Sequence, residues 1–211
     1  MVTEETPARR RFAWIRATTD RVPTKWFAAI GTGVFLAVTA AFGGLATAAE
    51  EPVPSAAPEQ EVIAKPFTVS VERAVLIDEF PEAGIYVEDG QRVLALQLEV
   101  VNTWTEPLAA GSKDSLAGAV RVQGLDLAES TARYDDATGN PRLQPGVPAE
   151  IVLTWAIDPE EFSEGDEIVV TVNSMSLHVG SFVASGQWWT DPVPAAEVTV
   201  VAEDVGSGVA Q

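Results

Sequence analysis

Arg92-Val-Leu-Ala-Leu-Gln-Leu-Glu-Val-Val-Asn102 is the stretch that decides the fold. Leu94, Leu96, Leu98 and Val100 occupy one set of alternate positions, and Val93, Ala95, Gln97 and Glu99 the other. Successive side chains of an extended strand point to opposite faces, so this period of two puts a wholly apolar row on one face. The same alternation recurs on either side. Upstream, Phe67, Val69 and Val71 alternate with Thr68, Ser70 and Glu72. Downstream, Ile151, Leu153, Trp155 and Ile157 alternate with Val152, Thr154 and Ala156, and Ile168, Val170 and Val172 with Val169, Thr171 and Asn173. Val198 and Val200 close the series. No long stretch of helical period competes with these runs, which predicts an all-β domain whose strands pack one face and solvate the other.

Turn chemistry separates the runs. Asp89-Gly90 reads as a tight hairpin between an 84–88 run and a 91–101 run. Thr138-Gly-Asn-Pro141, Pro145-Gly146 and Glu164-Gly-Asp166 are further breakers. Short strands at this spacing predict two antiparallel sheets face to face, with Trp155 as the core tryptophan.

Outside the strands the sequence changes character. Residues 1–25 carry six basic and three acidic side chains, while the rest of the chain carries most of the acids behind the net charge of −18. Residues 26–49 hold no charged side chain. A helix of that length reaches ~36 Å, enough for a ~30 Å hydrocarbon core. The basic flank faces the cytoplasm by the positive-inside tendency. The expected order is a cytoplasmic tail (1–25), a transmembrane helix from Trp26 to Ala49, a Pro/Glu-rich extended linker (50–66), an extracytoplasmic β-sandwich (67–204) and a flexible tail (205–211). The rival is a signal peptide cleaved after Ala46-Thr-Ala48, which also exports the domain. The acidic body opposes nucleic-acid binding, which needs basic surface. The absence of cysteine excludes disulfides and thiolate metal sites.

Three segments resemble a known group. Phe67-Thr-Val-Ser-Val-Glu-Arg-Ala74, Arg92 to Thr103 with its terminal Asn102-Thr103, and Leu143-Gln-Pro-Gly146 running into Trp155 look like the immunoglobulin-like domains of Gram-positive exported lipoproteins and anchored proteins of unknown function. The resemblance covers roughly residues 66–175. It implies an immunoglobulin-like fold and an envelope location, and carries over no catalytic residue. The chain departs from it in lacking a lipid-modified cysteine.

Candidate sites are sparse. His178 is the sole histidine, so a zinc site or catalytic triad has little to draw on. The loop with Asp135, Asp136 and Asn140 offers oxygens of the kind calcium takes, without the D-x-D-x-D-G order. Trp188-Trp189 places two large aromatics side by side; on a strand one turns in and the other out, where it can anchor a partner. The alternative is that the nearby Pro192-Val-Pro194 segment or a loop covers both. No P-loop, G-x-G-x-x-G, H-E-x-x-H or nucleophile elbow occurs, so neither an enzyme nor a cofactor is expected. The expected function is a membrane-anchored interaction module with a protein partner at the envelope. The alternative is a sensor of calcium, peptide or envelope glycan.

Overall fold

A computed structural model describes residues 24–41, 52–181 and 185–206. The chain divides between Glu51 and Pro52 into two units. In the first, α1 (Thr24–Ala41) is an 18-residue helix. It begins two residues ahead of the expected Trp26, and residues 42–49, Ala49 among them, lie outside the described residues. At ~1.5 Å per residue it is ~27 Å long. Among the described residues no helix is long and apolar enough to cross a membrane.

The second unit is a β-sandwich. Its strands are β1 (Ser55–Ala56), β2 (Val62–Ala64), β3 (Phe67–Ile77), β4 (Arg92–Asn102), β5 (Leu108–Ala109), β6 (Val120–Val122), β7 (Ser130–Arg133), β8 (Arg142–Leu143), β9 (Pro148–Ile157), β10 (Glu167–Gly180) and β11 (Gly186–Gly206). One layer runs β3-β4-β9-β7 and the other β6-β10-β11, with antiparallel neighbours throughout. Strand β11 belongs to both. It pairs with β10 from Gly186 to Val201, then crosses and runs parallel to β3 from Ala202 to Gly206. The small pair β5-β8 closes one end. A single helical turn, α2 (Leu116–Ala119), precedes β6.

The linker expected at 50–66 needs correction from Pro52 onward. Ser55 and Ala56 pair with Glu197 and Val198 of β11, and β2 pairs with the start of β3. The prolines do exclude a helix, but Pro is tolerated at sheet edges, and the short apolar residues Val62 and Ala64 bury there. The tail expected from residue 205 is also shorter, because Gly206 still pairs with Ile77 and its carbonyl accepts from the Asp78 N–H at 2.8 Å.

The core follows the alternation. Leu94, Leu96, Leu98 and Val100 are fully buried between the layers with Phe67, Val69, Val71, Leu153 and Val170. Trp155 is buried too, and its indole N–H donates to the Asp126 carbonyl at 3.1 Å. Burying a side chain of that size from water contributes ~2–3 kcal/mol.

The opposite face of β4 is not simply solvated. Val93 and Ala95 join Ile77, Ile85 and Val152 in a second buried cluster, with Phe80, Val87 and Val205 packed against it. Residues 78–91 fold over this outer face as a loop with a 3-10 turn at Pro81–Ala83, so 84–88 is not the strand expected. The apolar Ile85 and Val87 are there to cover the sheet. Asp89-Gly90 does form a turn, with Gly90 at φ +92° and the Gln91 N–H on the Glu88 carbonyl. It leads the loop into β4 and joins no hairpin.

Arg92 clamps this corner. Its guanidinium donates two hydrogen bonds to Asp204, at 2.8 and 2.6 Å, and one to Asp78 at 3.1 Å. The paired geometry is the strong form of arginine–carboxylate contact. It ties the start of β4 to the end of β11, across β3. The Asp204 carboxyl is pulled down to about 2, first by the Arg92 hydrogen bonds and then by the Gly206 N–H.

Candidate functional site

Two concave surfaces stand out. The first is a groove of about 870 Å³ on the outer face of the β3-β4-β9-β7 layer. Its floor includes Val75, Ala95 and Val152, and its walls are the 79–82 and 133–137 loops. Arg73 crosses it, donating from Nε to the Gln97 side-chain oxygen Oε1 at 2.8 Å and from Nη2 to the Tyr134 hydroxyl at 3.2 Å. At the opposite wall Arg133 grips Asp135 at 2.7 Å and approaches Asp136 at 3.9 Å. The Asp135 carboxyl is accordingly lowered, chiefly by the Arg133 hydrogen bond.

That arrangement decides the calcium candidates. Both Asp135 oxygens face Arg133, an Asp136 oxygen accepts from the Thr138 N–H, and the Asn140 side-chain oxygen accepts from the Gly111 N–H of another loop at 2.8 Å. The three side chains therefore serve a turn and a loop contact and do not converge. Among the described residues no group of three or more His, Asp or Glu is placed to hold a metal ion.

The second surface is a cleft of about 210 Å³ beside the β5-β8 end. Trp104, Trp188 and Trp189 line it, with Ser112, Asp114 and Ser115 opposite. Trp188 and Trp189 lie on opposite faces of β11. Trp189 is 7% exposed, and Trp104 meets it edge to face with ring centroids 5.8 Å apart. The cover is thus Trp104, from the loop after β4, while Pro192, Val193 and Pro194 are themselves exposed. Trp188 is half-buried, and its ring lies 4.5 Å from that of His178, its cross-strand partner. The lone histidine therefore holds an aromatic in place and has no carboxylate partner among the described ion pairs.

The cleft is positioned by Asn102, which is fully buried at the end of β4. Its amide nitrogen donates to the carbonyls of Glu106 and Leu143, at 2.8 and 2.9 Å, and its oxygen accepts from the Trp104 N–H at 2.9 Å. Its own carbonyl accepts from the Gly146 N–H at 2.8 Å. The Asn102-Thr103 and Leu143-Gln-Pro-Gly146 segments thus meet at one point, 41 residues apart in sequence. Thr103 is tied in turn to the Pro66 carbonyl by both its N–H and its hydroxyl, each at 2.8 Å. The opposite wall is held by a close approach. A Cβ on Gly118 would lie 1.8 Å from the Lys113 carbonyl oxygen, so only glycine lets the 112–115 turn fold back on α2.

Among the described residues four buried side-chain polar atoms have no hydrogen-bond partner: those of Ser70 and Arg121 away from the cleft, and the Trp189 Nε1–H and the Ser115 hydroxyl, which are themselves closed to solvent. Both residues line the cleft, and both are more than nine-tenths buried. Sequence patterns located Trp188 and Trp189 but missed Trp104, Asp114 and Ser115. The available signal was Trp104 lying two residues past an asparagine that ends a strand.

No protein-family model and no curated protein matches the sequence. Solved structures do. An uncharacterized β-sandwich protein from Clostridium difficile is 11% identical, with a TM-score of 0.39, over 72% of this chain and 99% of its own. A presumed lipoprotein from Staphylococcus aureus is 8% identical, with a TM-score of 0.37, over 72% and 99%. A presumed lipoprotein from Bacillus subtilis is 18% identical, with a TM-score of 0.36, over 67% and 38%.

Proposed function

We propose that this chain is a non-enzymatic interaction module of the cell envelope, tethered by residues 26–49 to the bilayer, with its basic head in the cytoplasm and an immunoglobulin-like domain outside. The strand order β3-β4-β9-β7 against β6-β10-β11 supports the fold: it is the arrangement of a seven-stranded constant-type domain, four strands against three. The division into a basic head, an uncharged run and an acidic body supports the topology.

The observation that carries the interaction reading is the outer-face groove. Val75, Ala95 and Val152 form an apolar floor, and charged or hydrogen-bonded groups at Arg73, Arg133 and Tyr134 border it. An apolar centre with a polar rim is the usual make-up of a protein interface. On the rim Arg133 is paired with Asp135, while Arg73 is bonded only to neutral groups and Glu79 and Glu82 also line the groove, so a partner with polar groups of both signs suits it.

The test has two arms. C-terminal reporters that work only outside, or only inside, the cytoplasm are fused to the full chain, and membranes are fractionated. The exported reporter should be active and the protein should stay with the membrane. Activity of the cytosolic reporter alone would refute the topology, and release into the medium would refute the tether. A photo-crosslinking residue is then placed in living cells at Gln97 or Tyr134, and for comparison at the exposed Thr199 of β11. A discrete membrane-protein adduct from the groove positions only is expected. The same pattern from Thr199 would remove the groove from the account.

A further inference from the structure

We propose that the far end of the β10-β11 ribbon is a membrane-contact element, seated in the headgroup layer of the lipid bilayer. Such a contact rests on the tethered topology and adds a second hold on the lipid. The two strands stay paired as far as Gly180 and Gly186, past Met175 and Trp189, where they leave the core. Met175, Leu177 and Val179 share one face of β10. Their exposure climbs from 5% to 38% to 63% along the strand. The inner, apolar face of the layer thus runs on beyond whatever covers it. Trp188 lies on the other face, half-buried against His178.

The charge pattern sets this ribbon apart. From Ile168 to Thr190 there is no Asp, Glu, Lys or Arg, in a chain with 31 acidic residues. Exposed strands ordinarily carry charged side chains that keep their open edges from pairing. An uncharged ribbon with leucine, valine and tryptophan at its surface suits the bilayer interface, where indole rings sit at headgroup level. The net charge of −18 opposes adsorption driven by anionic lipid, so apolar burial has to supply the contact.

Chain direction decides what the ribbon faces. β1 lies parallel to β11, with Ser55 beside Glu197 and Ala56 beside Val198. The Pro54 carbonyl accepts from the Glu197 N–H at 2.9 Å. The residues leading into β1 therefore arrive from the side toward which the ribbon projects. In the tethered topology the bilayer segment ends at Ala49, and the steps from there to Ser55 span at most ~21 Å. Thr171 is level with Glu197, and from it β10 runs ~30 Å to Gly180. The ribbon outreaches the tether, so even a taut tether leaves its end in the headgroups. Asp191, exposed at the foot of the ribbon, lies ~16 Å from Gly186, which lets the end engage while this carboxylate stays in water.

The chain has no cysteine, so single cysteines can be introduced and labelled one at a time. The full chain is placed in phosphatidylcholine nanodiscs containing a lipid with a nitroxide near its headgroup. The environment-sensitive dye NBD is attached through Val179→Cys, through Glu164→Cys just before the other end of β10, or through Phe35→Cys in the bilayer segment. The probes at 179 and 35 should be blue-shifted and quenched severalfold more than the one at 164, equally so in about 0.5 M salt, where surface charge is screened. With the dye moved to Gln187→Cys, opposite Val179, adding Leu177→Ser and Val179→Asp should lower the bound-to-free ratio about tenfold. Both side chains are exposed, and strand circular dichroism checks that the variant folds.

Quenching at 179 no greater than at 164, with the probe at 35 quenched, would overturn the ribbon contact and leave the tether standing. A blue shift at 179 without quenching would give the cover to protein instead of lipid and overturn it equally. Quenching that disappears in salt would make the contact electrostatic, against the apolar account. An unquenched probe at 35 would refute the tether, and quenching at 179 in that case would support the ribbon contact by itself.

Discussion

Replacing Asn102 with alanine should be among the most damaging single changes in the domain. The side chain is fully buried and makes three hydrogen bonds to main-chain groups, at Glu106, Leu143 and Trp104. Asn102→Ala deletes all three and strands two carbonyls and one N–H. A net hydrogen bond is worth ~1 kcal/mol, and a stranded buried group costs more, so the sum comes to about 3–5 kcal/mol. In a domain of this size each kcal/mol moves the midpoint by roughly 2–4 °C, which makes the expected fall about 6–20 °C. Thermal melting of the full chain followed by strand circular dichroism measures it. Asn102→Asp sharpens the test. It keeps the acceptor for Trp104 but points a carboxylate at two carbonyl oxygens. Burial and those oxygens raise its folded pKa above the unfolded value, so the variant should be least stable at neutral pH and recover as pH falls. A midpoint for Asn102→Ala within two or so degrees of the parent, or an Asn102→Asp variant indifferent to pH, would refute the assigned role.

Further outcomes follow from other contacts. The Asp204 carboxyl is held at about 2, below its ordinary 3.8, so its contribution is full above the unfolded value and fades as pH falls toward the folded one. Asp204→Asn should therefore flatten the acid limb of a urea-denaturation series, and Arg92→Gln should do the same. Gly118→Ala forces a carbon to within 1.8 Å of the Lys113 carbonyl oxygen and should cost about 1–3 kcal/mol by chemical denaturation, while moving the fluorescence of the cleft tryptophans. Trp155→Phe removes the donor to the Asp126 carbonyl and opens a small void; it should cost about 2 kcal/mol in the same assay with little change in the native spectrum.

The strands were legible where burial has a period of two. Leu94 to Val100 and Ile151 to Ile157 lie between the layers as their alternation predicts, and Trp155 is in the core. Residues 84–88 misled because a loop that covers an outer sheet face carries the same apolar residues as a strand. Residues 52–66 misled for the opposite reason. Proline and glutamate suggest a solvated spacer, yet a two- or three-residue edge strand needs only a few main-chain hydrogen bonds and one or two buried side chains. The cleft was half legible. Adjacent tryptophans announce themselves, but Trp104 and Ser115 reach them through chain folding that no local pattern records. The oxygens of Asp135, Asp136 and Asn140 looked available because a sequence cannot show that Arg133 and Gly111 already engage them.

Strand β11 completes both layers, since it zips along β10, receives β1 and flanks β3. A chain emerging vectorially therefore carries an unfinished sandwich, with the free edges of β3 and β10 open, until residues 186–206 have appeared. Closure joins segments more than a hundred positions apart and is correspondingly slow. The polypeptide thus leaves the ribosome as an open chain for most of its length, and the lock engages only when β11 arrives.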